Sequence, residues 1–322
     1  MKKCLIICWY GKLPDYFEIW QKSCAYNKDY DFIVITDQDF KPLGDNIIFK
    51  KMSLLEINDL INKKLDIKIK IEKPYKFCDF RPAYGKIFED LLDSYEFWGH
   101  CDIDQVFGQI SNFVTEEILN NYEKINRNGH FCLYKNSEKM NELYKKEGSI
   151  FSYKEVFTNN ENYAFDEKTG IEMIVGKNNI KTKYIDKYAD MYIRYKRYKM
   201  GRAINYKQQA FLWENGKLFR VYENNGILNK EELMYLHFQK KKPNIKVKDS
   251  SYTRLIMGSN YFMELENEIS IQDIISCNPY KGKIYEILES IKYKYTKVMQ
   301  FLKCSSKQKK VWEKQKRVEL NK

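Results

Sequence analysis

The sequence predicts an α/β fold with a parallel sheet in its N-terminal half, and three observations carry that expectation. Residues 4–9 form a continuous apolar run that stops before Gly11, as a strand buried on both faces does. Pro14 then opens a helical pattern, with Phe17, Trp20 and Cys24 at i, i+3 and i+7. A second apolar run, residues 31–36, ends at Asp37, and strand, helix, strand in so short a stretch indicates a βαβ unit. Residues 47–50 read as a weaker third strand.

Further along, residues 74–92 read as one helix. Pro82 suits its first turn, and Tyr84, Ile87, Phe88 and Leu91 share a face. Lys76, Asp79 and Arg81 then gather at its N-terminal end, where free backbone N–H groups favour anions. Residues 97–107 read as a strand that breaks at Gly108, Thr115 starts a helix to about Ile125, and residues 129–134 are strand-like. From 135 to 276 the pattern is irregular, with a Tyr- and Lys-rich stretch at 184–199; long connections in compact domains are usually functional or poorly ordered. Residues 280–302 place Ile284, Ile287, Leu288, Ile291, Tyr295, Val298 and Leu302 on one stripe of an amphipathic helix whose other face is Lys-rich. The chain thus divides into a body, 1–276, with halves 1–110 and 111–276, and a basic amphipathic C-terminal tail, 277–322.

Composition narrows the function classes. With 43% hydrophobic and 16% aromatic residues, the 322-residue chain is neither disordered nor short of a core. The net charge of +12 is unevenly placed: thirteen Lys or Arg against four Glu lie between 281 and 322, leaving the body near neutral. A nucleic-acid-binding protein using segments 184–199 and 281–317 is one alternative, but no RNA- or DNA-binding motif accompanies them, so nucleic acid is not the expected partner. A basic tail on a neutral body suggests docking on an anionic membrane face. Packing of the apolar stripe on the body, with only the last lysines free, stays open. Eight cysteines without a CxxC read as reduced core thiols. After Lys2 and Lys3 only about five apolar residues precede Gly11, too few for a secretory leader, and no run is long enough to span a bilayer. A cytoplasmic place, peripheral on the inner face of the membrane, is expected.

The chemistry centres on residues 98–108. Asp102 and Asp104 stand at i and i+2 inside an apolar run, where two acids cost much desolvation unless a cation compensates. Hard oxygen ligands suit Mn2+ or Mg2+, which can bridge them to a diphosphate. An exposed edge-strand pair is the bland alternative. A haloacid-dehalogenase-like phosphatase is another, although no GDxxxD-like partner follows. Trp9, Tyr10 and Asp37 sit at predicted strand C-terminal ends, the usual ligand crevice of an open α/β sheet. There an aromatic can stack on a base and a carboxylate can bond a ribose; core packing for Trp9 and a turn for Asp37 are equally open. Asp166 and Glu167 precede Gly170 and an apolar run, and a carboxylate in a partly enclosed site can serve as general base. His237 ends an apolar stretch and Lys240 follows it; a satisfied core histidine is the alternative there.

The run Cys78-Asp79-Phe80-Arg81, followed by Cys101-Asp102-Ile103-Asp104, resembles the D-x-x-R … D-x-D block of GT-A sugar transferases. With Lys73-Pro74-Tyr75-Lys76, Tyr84-Gly85, Phe97-Trp98-Gly99 and Gly108, it is similar to a bacterial family found among capsule and lipopolysaccharide biosynthesis proteins, over roughly residues 3 to 240. The Gly-Gly-x-Tyr common before the D-x-D is absent, so sugar specificity is not carried over. The resemblance implies a GT-A fold, a Rossmann-like nucleotide-diphospho-sugar transferase with a mixed sheet flanked by helices. It implies Mn2+ or Mg2+ on Asp102 and Asp104 with the donor diphosphate, and Asp79 and Arg81 near the ribose or donor sugar. His237 would be a further ligand, Lys240 would meet the leaving diphosphate, and Asp166 or Glu167 would be the base of an inverting transfer. The donor it implies is a UDP-sugar, the transferred group a hexose, and the acceptor a saccharide or lipid-linked saccharide, on the half from 111 to 276.

Overall fold

The computed structural model describes residues 1–239, 241–249 and 251–320. The chain begins with β1 (Lys3–Trp9), helix α1 (Phe17–Ala25), β2 (Tyr30–Thr36) and β3 (Ile47–Lys51), close to the expected bounds. Next comes α2 (Leu54–Leu65), which the periodicity reading passed over. Ser53 caps it in a capping box with Glu56, and Ile57, Ile61 and Leu65 turn inward. After β4 (Phe97–Cys101), β5 (Gln105–Phe107), β6 (Lys124–Asn128), β7 (Phe131–Lys135) and β8 (Thr182–Lys183), a seven-stranded sheet is complete in the order β3-β2-β1-β4-β7-β6-β8. Strands β3, β2, β1 and β4 run parallel, whereas β7 pairs antiparallel with both β4 and β6, so the sheet is mixed.

Alternation along β1 explains why its run is apolar throughout. Cys4 and Ile6 belong to the core that holds Phe77, Phe80 and Tyr84 on one face, while Leu5 and Ile7 belong to the one that holds Phe17 and Trp20 on the other. Gly99 is required where β4 meets β7: a Cβ there would lie 2.1 Å from the Cys132 carbonyl oxygen.

The expected single strand from 97 to 107 is two strands in two sheets. Asp102, Ile103 and Asp104 form the break, and beyond it β5 joins β9 (Tyr188–Tyr192), β10 (Arg197–Met200) and β14 (Tyr235–His237) in the order β10-β9-β14-β5. A third sheet, β13-β12-β11-β16-β17-β15, is built from β11 (Gln209–Glu214), β12 (Lys217–Asn224), β13 (Ile227–Leu233), β15 (Ile245–Lys246), β16 (Arg254–Met257) and β17 (Phe262–Glu264). The half read as irregular is therefore rich in short strands. Several carry charges on both faces, as β13 does with consecutive Lys230, Glu231 and Glu232, which hides their period.

The expected helix from 74 to 92 is a series of short 3-10 and α turns broken at Lys76, Phe80, Ala83 and Phe88. Pro82 withholds a backbone donor in the middle of the series, so no long helix presents an anion-binding N-terminus there. The chain closes with α3 (Ile271–Cys277), α4 (Lys283–Lys303) and α5 (Ser306–Leu320). Among the described residues no helix is long and apolar enough to cross a membrane. None of the eight cysteines is in a disulfide, and five of them are buried.

Candidate functional site

The break between β4 and β5 puts Asp102 and Asp104 on the wall of a cavity of about 1180 Å³. Strand pairing brings further groups beside them. In the second sheet His237 on β14 is in register with Gln105 on one side and Asp190 on the other. Phe238 N–H donates to the Asp104 carbonyl (2.9 Å), which fixes the end of β14 against the break. His237 Nε2 consequently lies 3.4 Å from Asp104 Oδ1 and 3.7 Å from Asp102 Oδ2, while its Nδ1 lies 3.0 Å from Asp190 Oδ1. Gln239 holds Asp190 in turn, donating to both carboxylate oxygens at 2.9 Å.

Two carboxylates and an imidazole converge here closely enough to hold one metal ion, and His130, Asp190 and His237 form a second such group. The first is the better donor set, because Nε2 of His237 faces Asp102 and Asp104 and leaves Nδ1 to be oriented by Asp190, the usual carboxylate backing of a histidine ligand. Burial acts to lower the pKa of His237, but hydrogen bonds to Asp104 and Asp190 outweigh it and lift the group to about 10. His130 stacks on His237 with ring centroids 4.4 Å apart, and burial together with that neighbouring cation pushes it down to about 3.

Arg81 is the other charge centre. One of its terminal nitrogens pairs with Asp102 Oδ1, and the other donates to the Gly129 carbonyl (2.6 Å) and to Asp166 Oδ2 (3.0 Å). A single guanidinium thus serves two carboxylates. Burial opposes ionisation of Asp102, yet Arg81 and then His237 hold it below the ordinary range. Asp166 has only its share of Arg81, so burial wins and pushes it up to about 8. Gly129 permits this contact, since a Cβ there would stand 2.9 Å from Asp166 Oδ2.

The other anticipated residues divide. Trp9, Tyr10 and Glu167 line the same cavity, with Glu167 exposed on it and Tyr10 stacked on Phe77 at 5.1 Å. Lys76 and Asp79 do not reach it. They are buried together, with Lys76 Nζ 2.8 Å from Asp79 Oδ2 and also donating to the carbonyls of Val156 (2.7 Å) and Glu161 (2.6 Å). Asp79 accepts from the backbone N–H groups of Tyr163 and Phe165, so the pair fixes the segment that delivers Asp166 and Glu167. Their assignment to phosphate, ribose or donor sugar is corrected accordingly: a fully satisfied buried pair has no donor left for a ligand. Asp37 is also away from the cavity wall, exposed and accepting from Gly11 N–H (3.1 Å) as a turn residue. Lys240 lies outside the described residues. The cations that do line the cavity are Arg81, Arg127, Lys168, Lys196, Lys292 and Lys297.

Asp190 is the residue that the sequence reading missed. Its signal was the period-two alternation of Tyr188, Asp190 and Tyr192 against buried Ala189 and Met191, which marks an acid on the open face of a strand.

Residues 5–266 match the family described as "Family of unknown function (DUF6625)", and the chain belongs to that family. No curated protein and no solved structure matches it.

Proposed function

We propose that the protein is a metal-dependent glycosyltransferase of GT-A type that moves a hexose from a nucleotide-sugar to a saccharide or lipid-linked saccharide acceptor, in bacterial surface-polysaccharide synthesis. The observation that carries this reading is the convergence of Asp102, Asp104 and His237 Nε2 on the wall of one large cavity, at the break between two sheets. A UDP-sugar donor follows from the resemblance of the Asp-x-x-Arg and Asp-x-Asp segments. Asp102, Asp104 and His237 would hold the ion, and two carboxylates with one imidazole suit Mn2+ better than Mg2+. When bound, a divalent cation supplies charge that stabilises a departing nucleoside diphosphate.

The remaining roles fall to the chain itself. Lys168 and Lys297 add positive charge to the cavity, and Lys196 and Lys292 exceed by one charge the Glu289 that both pair with. Trp9 offers an aromatic face to a nucleobase, whereas the ring of Tyr10 is stacked on Phe77. Glu167 takes the proton of the acceptor hydroxyl. The acceptor oxygen bonds to the anomeric carbon as the bond from that carbon to the diphosphate oxygen breaks, with inversion. Asp166 keeps its own proton up to about pH 8 and is spent on Arg81, so it positions rather than accepts. Glu167→Gln is expected to lower kcat by roughly 100-fold or more with donor affinity unchanged.

Thermal shifts with a panel of nucleotide-sugars, with and without Mn2+, test the reading. A UDP-sugar should stabilise the wild type only when Mn2+ is present, and Asp102→Ala or Asp104→Ala should abolish that response while the protein stays folded. No response to any nucleotide-sugar, or an undiminished response in both variants, rejects it.

A further inference from the structure

The apolar stripe of α4 faces away from the protein. Ile284, Ile287, Leu288, Ile291, Tyr295, Val298 and Leu302 are between 52% and 78% exposed. It is the polar side of the helix that meets the body: Glu289 and Ser290 are buried, and Lys292, Tyr293, Thr296 and Lys297 form a wall of the cavity. An amphipathic helix in a globular protein ordinarily turns the other way.

This orientation is fixed by contacts at both ends. On one side Glu289 pairs with Lys196 (2.6 Å) and Glu286 with Lys199 (2.9 Å), while Arg194 donates to Ser290. On the other, α5 buries Val311 in the core, and Gln308 exchanges hydrogen bonds with the backbone of Asn162 (2.8 and 3.0 Å). Helix α4 therefore straps across the cavity, and its stripe is not available to pack on the body. Twenty-one residues make a ridge about 30 Å long, and a continuous exposed apolar surface of that kind marks an interaction site.

Charge identifies the occupant. Both acids of α4, Glu286 and Glu289, are engaged by lysines of the body, so the exposed flanks of the helix carry Lys283, Lys294 and Lys303 with no acid among them. Helix α5 adds exposed Lys307, Lys310, Lys314 and Lys316 against the exposed acid Glu313. A second copy of the chain laid along the stripe would bring lysine rim against lysine rim, which disfavours it. An anionic bilayer complements both features, since the apolar ridge sinks below the headgroups while the lysines remain at their level.

We propose that α4 is an interfacial helix that docks the protein on an anionic lipid bilayer and brings the roof of the cavity against the membrane surface. This stands independently of the reaction assigned to the cavity. Co-sedimentation of the full chain with phosphatidylcholine vesicles, with and without phosphatidylglycerol, tests it, alongside the triple substitution Ile287→Glu/Leu288→Glu/Ile291→Glu. These three side chains touch solvent and are not on the cavity wall, so the melting temperature should not change. The wild type should pellet with vesicles containing phosphatidylglycerol and be released by salt, and the triple variant should bind at least about tenfold more weakly. Absence of binding, or equal binding by the variant, overturns the proposal. So does a wild-type dimer in solution that the variant converts to monomer while vesicles bind neither form, because the stripe would then belong to a second copy.

Discussion

Asp166→Asn probes the shared guanidinium through pH. The carboxyl of Asp166 is 3% exposed and its pKa rises from an ordinary 3.8 to about 8 on folding. Below about pH 4 both folded and unfolded chains carry this proton, and the residue costs nothing. Between pH 4 and 8 the unfolded chain releases the proton while the folded chain keeps it, so stability is lost as pH rises and the full cost is reached above 8. Each pH step in that window is worth about 1.4 kcal/mol, which sets a ceiling of roughly 5–6 kcal/mol; relaxation around the buried charge brings the expected loss to about 2–4 kcal/mol. The asparagine amide oxygen can still accept from Arg81, and the variant has no proton to lose. Its melting temperature should therefore equal that of the wild type near pH 4 and exceed it by roughly 3–6 °C near pH 8.5. Thermal unfolding of both proteins across this range, without metal, is the assay. Parallel curves, or a variant that loses ground as pH rises, would show that Asp166 is ionised in the fold and would return it to the role of base.

Three further outcomes follow from the same contacts. Gly129→Ala places a Cβ against Asp166 and should cost about 1–3 kcal/mol in urea unfolding with a loss of turnover; an unchanged midpoint would mean that residue 129 is not packed against the Asp166 carboxyl. Lys76→Met leaves Asp79 unpaired in the core and should cost about 3–5 kcal/mol with nucleotide affinity preserved; the reverse pattern would restore Lys76 to the phosphate site. Mn2+ binding should release about one proton at pH 8 by calorimetry in buffers of different ionisation enthalpy, because His237 with a pKa of about 10 must give up its proton to ligate. Binding without proton release would remove His237 from the ligand set.

The first strands and α1 were legible because their burial leaves an unambiguous trace: β1 is apolar at every position, and Phe17, Trp20 and Cys24 are all core residues. Helix α2 was equally legible, since Ser53 and Glu56 have the spacing of a capping box and Leu54, Ile57, Ile61 and Leu65 recur at helical spacing. The Asp-x-Asp was visible as two acids in an apolar run, but its position was misjudged. A strand that leaves one sheet and enters another does not lose its hydrophobicity, so nothing local marks the break at Asp102. Lys76 and Asp79 misled for a related reason. Spacing at i, i+3 does not tell a ligand-binding cluster from an internal salt bridge, and only the carbonyls of Val156 and Glu161, some 80 residues away, decide it. Asp190 meets His237 solely through the pairing of β9 with β14, a long-range register that periodicity does not supply.

The premise that an external cation alone makes Asp102 and Asp104 tolerable does not hold for this protein. Arg81 pairs with Asp102, and protonated His237 lies against Asp104, so the two acids are compensated from within the chain. A site neutralised in this way does not need metal in order to fold, unlike a structural zinc module. Under the metal-dependent reading proposed above, an ion would have to compete for this site, displacing a proton from His237 and sharing Asp102 with Arg81. The contacts of Arg81 make that exchange inexpensive. If its bond to Asp102 loosens, the guanidinium keeps the Gly129 carbonyl and Asp166, so no buried cation is orphaned. His237 likewise keeps Asp190, itself held by Gln239, and stays oriented after its proton has gone. The second partners that hold Arg81 and His237 in place thus leave the two carboxylates able to change theirs, which is the property that the proposed metal and diphosphate site would require.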